Sequence, residues 1–217
     1  MNVHAHEHDL DQLFSGQRLL AILRGLGRER SLELAGVAWD LGVRCVEVPI
    51  QGAADVDALE AVAAAGAARG FPVGAGTVVT AEHVATARRA GASFTVSPGL
   101  DGDVVRASLD AGLPTLPGVA TAGEIQAAQR LGLTWVKAFP ASVLTPAWFR
   151  AVRSPFPGLH LVATGGVDAG NAAAFLEAGA DVVAVGSALA SDDAPTVLGQ
   201  LLAGPPARAR SDEKPSR

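Results

Sequence analysis

The chain contains a single cysteine, Cys45, in 217 residues, so no intrachain disulfide supports the fold and a reducing compartment suits it. Cys45 reads as a buried filler, because no neighbouring histidine marks an activated thiol. No apolar run approaches the roughly 20 residues needed to span a bilayer. The N-terminal MNVHAHEHDLDQLF lacks both the cationic start and the apolar core of a signal peptide. No segment stacks Lys and Arg into a phosphate-binding face, and the net charge of −5 speaks against nucleic acid as a main partner. Small anions stay compatible with a local positive site. What the chain does have is a core: 49% of its residues are hydrophobic and only 18% charged, unlike a disordered chain. These features predict a soluble, cytoplasmic protein with neither nucleic-acid nor membrane partners.

Short β-prone runs recur along it. They are LLAILRG from Leu19, CVEVPI from Cys45, VGAGTV from Val73, FTVSPG from Phe94, PTLPGV from Pro114, WVKAFP from Trp135, HLVATGG from His160 and VVAVGS from Val182. Their starts lie 20–28 residues apart, the length of a strand, a turn, a helix and a return turn. Helical spacing fills Ser31 to Leu41, Ala53 to Arg69, Ala81 to Ala90, Gly102 to Ala111 and Ala122 to Leu131. Glycines at 42, 91, 112, 132 and 179 are placed to stop helices, and Thr80, Asp101, Thr121 and Asp168 to start them. Strand alternating with helix means parallel pairing. Eight such units in a chain of this length predict a single-domain α/β fold, the (β/α)8 TIM barrel, with an open doubly wound sheet as the alternative. The expected domain is 10–204, between a polar tail at 1–9 and a charged, Pro-rich tail at 205–217, both expected to be disordered.

Reactive groups of such a barrel collect at the C-terminal ends of its strands. Besides His160, the β-prone runs hold three ionisable charged side chains, Arg24, Glu47 and Lys137. A charge inside an apolar strand is expensive unless paired or neutralised. Alternation puts Trp135, Lys137 and Phe139 on one strand face and Cys45, Glu47 and Pro49 on another. If the small apolar pair Val136 and Ala138 meets the helices, Lys137 points into the barrel mouth with Phe139 above it. Desolvation there lowers the lysine pKa and exposes a nucleophilic amine, and a nearby glutamate can move protons. A structural Lys–Glu ion pair without chemistry is the competing reading.

Glycine-bearing strand ends add ATGGV after the seventh run and VGSAL after the eighth, the pair of loops that cradle phosphate in many such barrels. Tight turns alone would also use these glycines. Thr77 closes the third run, where its hydroxyl can bind a carboxylate. His4, His6 and His8 alternate as a metal-binding tract would, but lack carboxylate or cysteine partners at suitable spacing.

Taken in order, AILRG, VEVPI, GAGTV, SPG, LPGV, VKAFPA, TGGV and VGS resemble the class I 2-keto-3-deoxy-6-phosphogluconate (KDPG) and 4-hydroxy-2-oxoglutarate (KHG) aldolase family, phosphogalactonate enzymes included. The resemblance runs from about Leu19 to Leu202. It implies a homotrimeric barrel that acts on a small 2-keto acid phosphate and needs no metal or other cofactor. On this sequence it places the Schiff-base lysine at Lys137 and the general acid/base at Glu47. The carboxylate-holding threonine falls on Thr77, the site-lining proline on Pro98, and the phosphate turns on Gly165, Gly166, Gly186 and Ser187. Arg24 matches an arginine near the polar end of the substrate, and Phe139, placed above Lys137 by alternation, completes the substrate-binding candidates. Many KDPG aldolases carry an arginine four residues after the glutamate, where this chain has Gln51. A neutral amide lacks the charge-assisted fork of arginine. That position and the EVP spelling look more like the phosphogalactonate branch. The expected activity is cleavage of a 2-keto-3-deoxy-6-phospho sugar acid to pyruvate and glyceraldehyde 3-phosphate. A KHG aldolase or a phosphate-binding isomerase or synthase without imine chemistry are the alternatives.

Overall fold

A computed structural model describes residues 10–190 and 193–203; the predicted tails and the three alternating histidines lie outside them. The strands are β1 (Leu19–Ile22), β2 (Cys45–Pro49), β3 (Val73–Gly76), β4 (Phe94–Val96), β5 (Thr115–Leu116), β6 (Gly118–Val119), β7 (Trp135–Ala138), β8 (His160–Thr164) and β9 (Val182–Val185). They form one parallel sheet in the order β5-β4-β3-β2-β1-β9-β8-β7-β6. The helices that alternate with them are α1 (Gly27–Asp40), α2 (Ala53–Arg69), α3 (Ala81–Arg89), α4 (Gly102–Asp110), α5 (Ala122–Arg130), α6 (Ala141–Arg153), α7 (Ala172–Glu177) and α8 (Ala194–Ala203). A short 3-10 helix at Ser187–Ala190 follows β9.

The two ends of that strand order belong to one run of chain. β5 pairs with β4, β6 pairs with β7, and only Pro117 separates β5 from β6. Proline has no N–H to give a ladder, so the segment is split in two where the sequence predicts one strand. The Pro117 carbonyl still accepts from Lys137 N at 2.9 Å, and the wall closes through the covalent chain. The result is a barrel with eight wall positions, as expected, and the open-sheet alternative falls.

Period-2 alternation sorts the strand side chains into two cores. Leu20, Ile22, Phe94, Val96, Leu116, Val162, Val182 and Ala184 fill the lumen. Leu19, Ala21, Val46, Val48, Val136, Ala138, Leu161 and Ala163 face the helices. A feature absent from the sequence reading seals the lumen below: helical residues 10–14 insert Leu10 and Phe14 beside Trp135. Trp135 Nε1 donates to Asp11 Oδ1 at 2.6 Å, and Cys45 Sγ to the Leu13 carbonyl at 3.1 Å. Burial pushes the Cys45 thiol up to about 12, so it is inert filler as predicted.

Thr80, Asp101 and Thr121 cap α3, α4 and α5, the last within a reciprocal capping box with Glu124. Two expectations shift. α1 begins at Gly27 rather than Ser31. Asp168 accepts from Gly170 N and Asn171 N, closing a turn that precedes α7, so it does not cap the helix itself.

Candidate active site

Lys137 and Glu47 stand on β7 and β2, four wall positions apart in either direction, so they face each other across the lumen. Their neighbours carry the alternation as read from sequence: Trp135 and Cys45 belong to the lumen core, whereas Val136, Ala138, Val46 and Val48 meet the helices. Lys137 is 3% exposed and Glu47 is fully buried, so both charges have left water. Neither carboxylate oxygen of Glu47 has a hydrogen-bond partner among the described residues. A direct ion pair, which would satisfy both groups, is therefore not what holds them there.

Burial pushes Lys137 below the ordinary lysine range; the Glu47 charge opposes that shift and Arg24 reinforces it. Burial likewise pushes Glu47 above the ordinary carboxyl range, against the pull of Lys137 and Arg24. Desolvation disfavours the charged form of each group. Arg24 itself is exposed at the end of β1. The Lys137 Nζ lies 4.9 Å from the centre of the Phe139 ring, the neighbour on the same strand face that alternation gives it.

Space for the glutamate is cut into β3. A methyl group on Gly76 would stand 1.9 Å from Glu47 Oε1. The next residue, Thr77, has φ +58°, a left-handed conformation in which a β-branched side chain is strained by about 1–2 kcal/mol. Strain of this kind persists where the surroundings over-determine it, often at ligand clamps. Thr77→Gly is expected to lose activity while thermal unfolding shows the fold held or stabilised, because glycine accepts that backbone freely. A large drop in melting temperature would contradict the strain.

Because all strands run parallel, their C-terminal ends share one mouth. Gln51 after β2, Pro98 after β4, Gly165 and Gly166 after β8, and Gly186 and Ser187 after β9 all lie on that rim. Gly165 and Gly166 have φ +94° and +72°, so the TGGV turn needs glycine at both positions. Gln51 is exposed, and its backbone N–H donates to Asp55 Oδ2 at 3.0 Å. Thr164 was missed in the sequence. It occupies the lumen face of β8 two residues after Val162, it is 4% exposed, and its hydroxyl has no partner among the described residues. Threonine in a β-run is ordinary, so only the buried, unsatisfied oxygen marks it. No group of three or more His, Cys, Asp or Glu side chains among the described residues is arranged to hold a metal ion.

Known proteins resemble this chain in sequence and in fold. Residues 10–196 match the sequence pattern of the KDPG and KHG aldolases. A probable 2-dehydro-3-deoxy-6-phosphogalactonate aldolase of Rhizobium meliloti is 36% identical over 172 residues, 79% of this chain and 81% of that one. A 2-dehydro-3-deoxy-phosphogluconate aldolase of Treponema pallidum is 37% identical over 149 residues, 68% of this chain and 70% of its own. Among solved structures, a KDPG aldolase from Legionella pneumophila, with pyruvate captured as a covalent carbinolamine, superposes with a TM-score of 0.76 at 26% identity. That match covers 88% of this chain and 92% of the other. With a buried lysine facing a buried glutamate inside a matching barrel, this chain belongs to the KDPG and KHG aldolase family of lyases.

Proposed function

We propose that the protein is a class I aldolase that cleaves a 2-keto-3-deoxy-6-phospho sugar acid to pyruvate and glyceraldehyde 3-phosphate. The observation that carries this reading is the desolvated amine of Lys137 opposite a desolvated carboxyl. A neutral amine attacks the C2 carbonyl and gives a carbinolamine, the species captured with pyruvate in the Legionella relative. Loss of water forms an iminium ion. Its positive nitrogen accepts the electron pair of the C3–C4 bond as that bond breaks, leaving an enamine and the aldehyde. Glu47, as carboxylate, takes the proton of the C4 hydroxyl; as carboxylic acid, it returns a proton to C3 of the enamine. Hydrolysis of the resulting imine frees pyruvate and lysine. The walls that depress the lysine pKa are thus the walls that make it a nucleophile.

In this reading Thr77, with Gln51 and Arg24 on the same rim, orients the substrate carboxylate. Pro98 and Phe139 wall the reacting carbons. The turns at Gly165, Gly166, Gly186 and Ser187 hold the phosphate, and binding energy spent far from the scissile bond positions it. The Thr164 hydroxyl, without a partner among the described residues, is suited to a substrate hydroxyl, since a buried oxygen without a bond costs stability until one is made.

The substrate follows from a side-by-side assay of the phosphogluconate and phosphogalactonate keto acids and 4-hydroxy-2-oxoglutarate. The neutral Gln51 predicts preference for the phosphogalactonate acid; comparable turnover of both phospho acids would remove Gln51 as a discriminator. Preference for 4-hydroxy-2-oxoglutarate would favour the KHG reading. We infer that the chain assembles as a cytoplasmic homotrimer; Val79 and Val143, exposed near the mouth, offer apolar contact surface. Light scattering on the full chain is expected to give three times the 21.9 kDa chain mass.

A further inference from the structure

The turn after the lysine strand carries a hydroxyl that no role above uses. α6 is kinked: Thr145 has φ +63° and ψ +161°, and Pro146 follows it. Proline removes an N–H and restricts the residue before it, so residues 141–144 form a separate turn above β7. That turn is bound to the glycine loop of β8 through Ser142 N, which donates to the Gly165 carbonyl at 3.0 Å. The side chain is fitted against the same loop. A methyl group on Gly166 would stand 2.6 Å from both Cβ and Oγ of Ser142. Among Ala141, Ser142, Val143 and Leu144, serine alone has a side-chain donor, and it is exposed at the mouth.

We propose that Ser142 is a specificity residue: its hydroxyl donates to the anionic end of the substrate that the Gly165–Gly166 turn receives, favouring phosphorylated over unphosphorylated 2-keto acids. This rests on the phosphate reading of that turn. The physical case is one of scarcity. The turns at Gly165–Gly166 and Gly186–Ser187 offer a phosphate only neutral donors, so one more hydroxyl is a large share of the grip. The close approach to Gly166 places that hydroxyl beside the loop.

The test uses the full chain, with Ser142→Ala and Ser142→Asp compared with wild type. Three readouts are taken: KM and kcat for the preferred phospho acid, the same for its unphosphorylated counterpart, and competitive inhibition by inorganic phosphate. Ser142→Ala is expected to raise KM for the phospho acid and the inhibition constant of phosphate together, by about tenfold. Its kcat, and its KM for the unphosphorylated acid, should barely move. Ser142→Asp should repel phosphate further. Unchanged phosphate inhibition in folded Ser142→Ala overturns the proposal, as does an equal loss of kcat on both substrates, which would make Ser142 a support for the lysine loop. A wild-type enzyme indifferent to phosphate would overturn the phosphate reading itself, a separate result from a silent Ser142.

Discussion

Lys137→Met will abolish aldol cleavage, by at least about 10^4-fold, while the barrel stays folded and gains stability at neutral pH. The first half follows from chemistry: a thioether forms no imine, and no other lysine occupies the strand runs that build the lumen. The second half follows from burial. Lys137 is 3% exposed, and its pKa in the folded protein lies below that of the unfolded chain. Between those two pKa values the unfolded state holds a proton that the folded state lacks, so wild-type stability rises with pH through that window. Below it, folding carries the full penalty of hiding an ammonium. Methionine is similar in length and carries no such penalty. Urea denaturation at neutral pH and near the ordinary lysine pKa should therefore show the variant more stable at the lower pH, with the difference shrinking as pH rises. A variant that is less stable at both pH values would mean that the lysine supports the fold, as in a structural ion pair.

Glu47→Gln is expected to lower kcat by about 10^2–10^4-fold without preventing imine formation with pyruvate. Glutamine keeps the volume beside Gly76 but cannot shuttle a proton. The pH dependence then separates the partners. Glu47 as a base must be ionised, and burial raises its pKa, so wild-type kcat/KM climbs to its plateau at higher pH than an ordinary carboxylate would give. The Glu47 charge holds the Lys137 pKa up against desolvation. Removing that charge lets Lys137 fall further, so residual activity in Glu47→Gln should persist to lower pH than in the wild type. An unchanged acid limb would show that Lys137 and Glu47 do not sense each other across the lumen.

Much of this site was legible before any coordinates, for a physical reason. Charges are so costly inside apolar strands that Glu47 and Lys137 stood out, and the two-residue period of a strand told which way those two pointed; Arg24, in the same β-prone run as β1, lies exposed beyond that strand. The glycine turns were legible because left-handed backbone admits few other residues. What escaped were contacts between segments distant in sequence, or residues ordinary for their element. Leu10 and Phe14 give no sign in a polar N-terminal segment that they plug a barrel beside Trp135. Pro146 interrupts the helical spacing of α6, and Pro117 divides one expected strand into β5 and β6. Thr164 resembles any strand threonine except that its hydroxyl is buried and without a partner among the described residues. Ser142 gains interest only beside Gly166.

The central claim is that an uncharged amine in the barrel mouth becomes bonded to a keto acid. Borohydride reduction of the active protein in the presence of pyruvate, followed by peptide mass spectrometry, reads it directly. The account predicts one stable pyruvate-derived adduct, on the peptide that carries Lys137, and none in Lys137→Met. Unmodified Lys137 from a preparation shown to cleave substrate, or an adduct confined to another lysine, would contradict it.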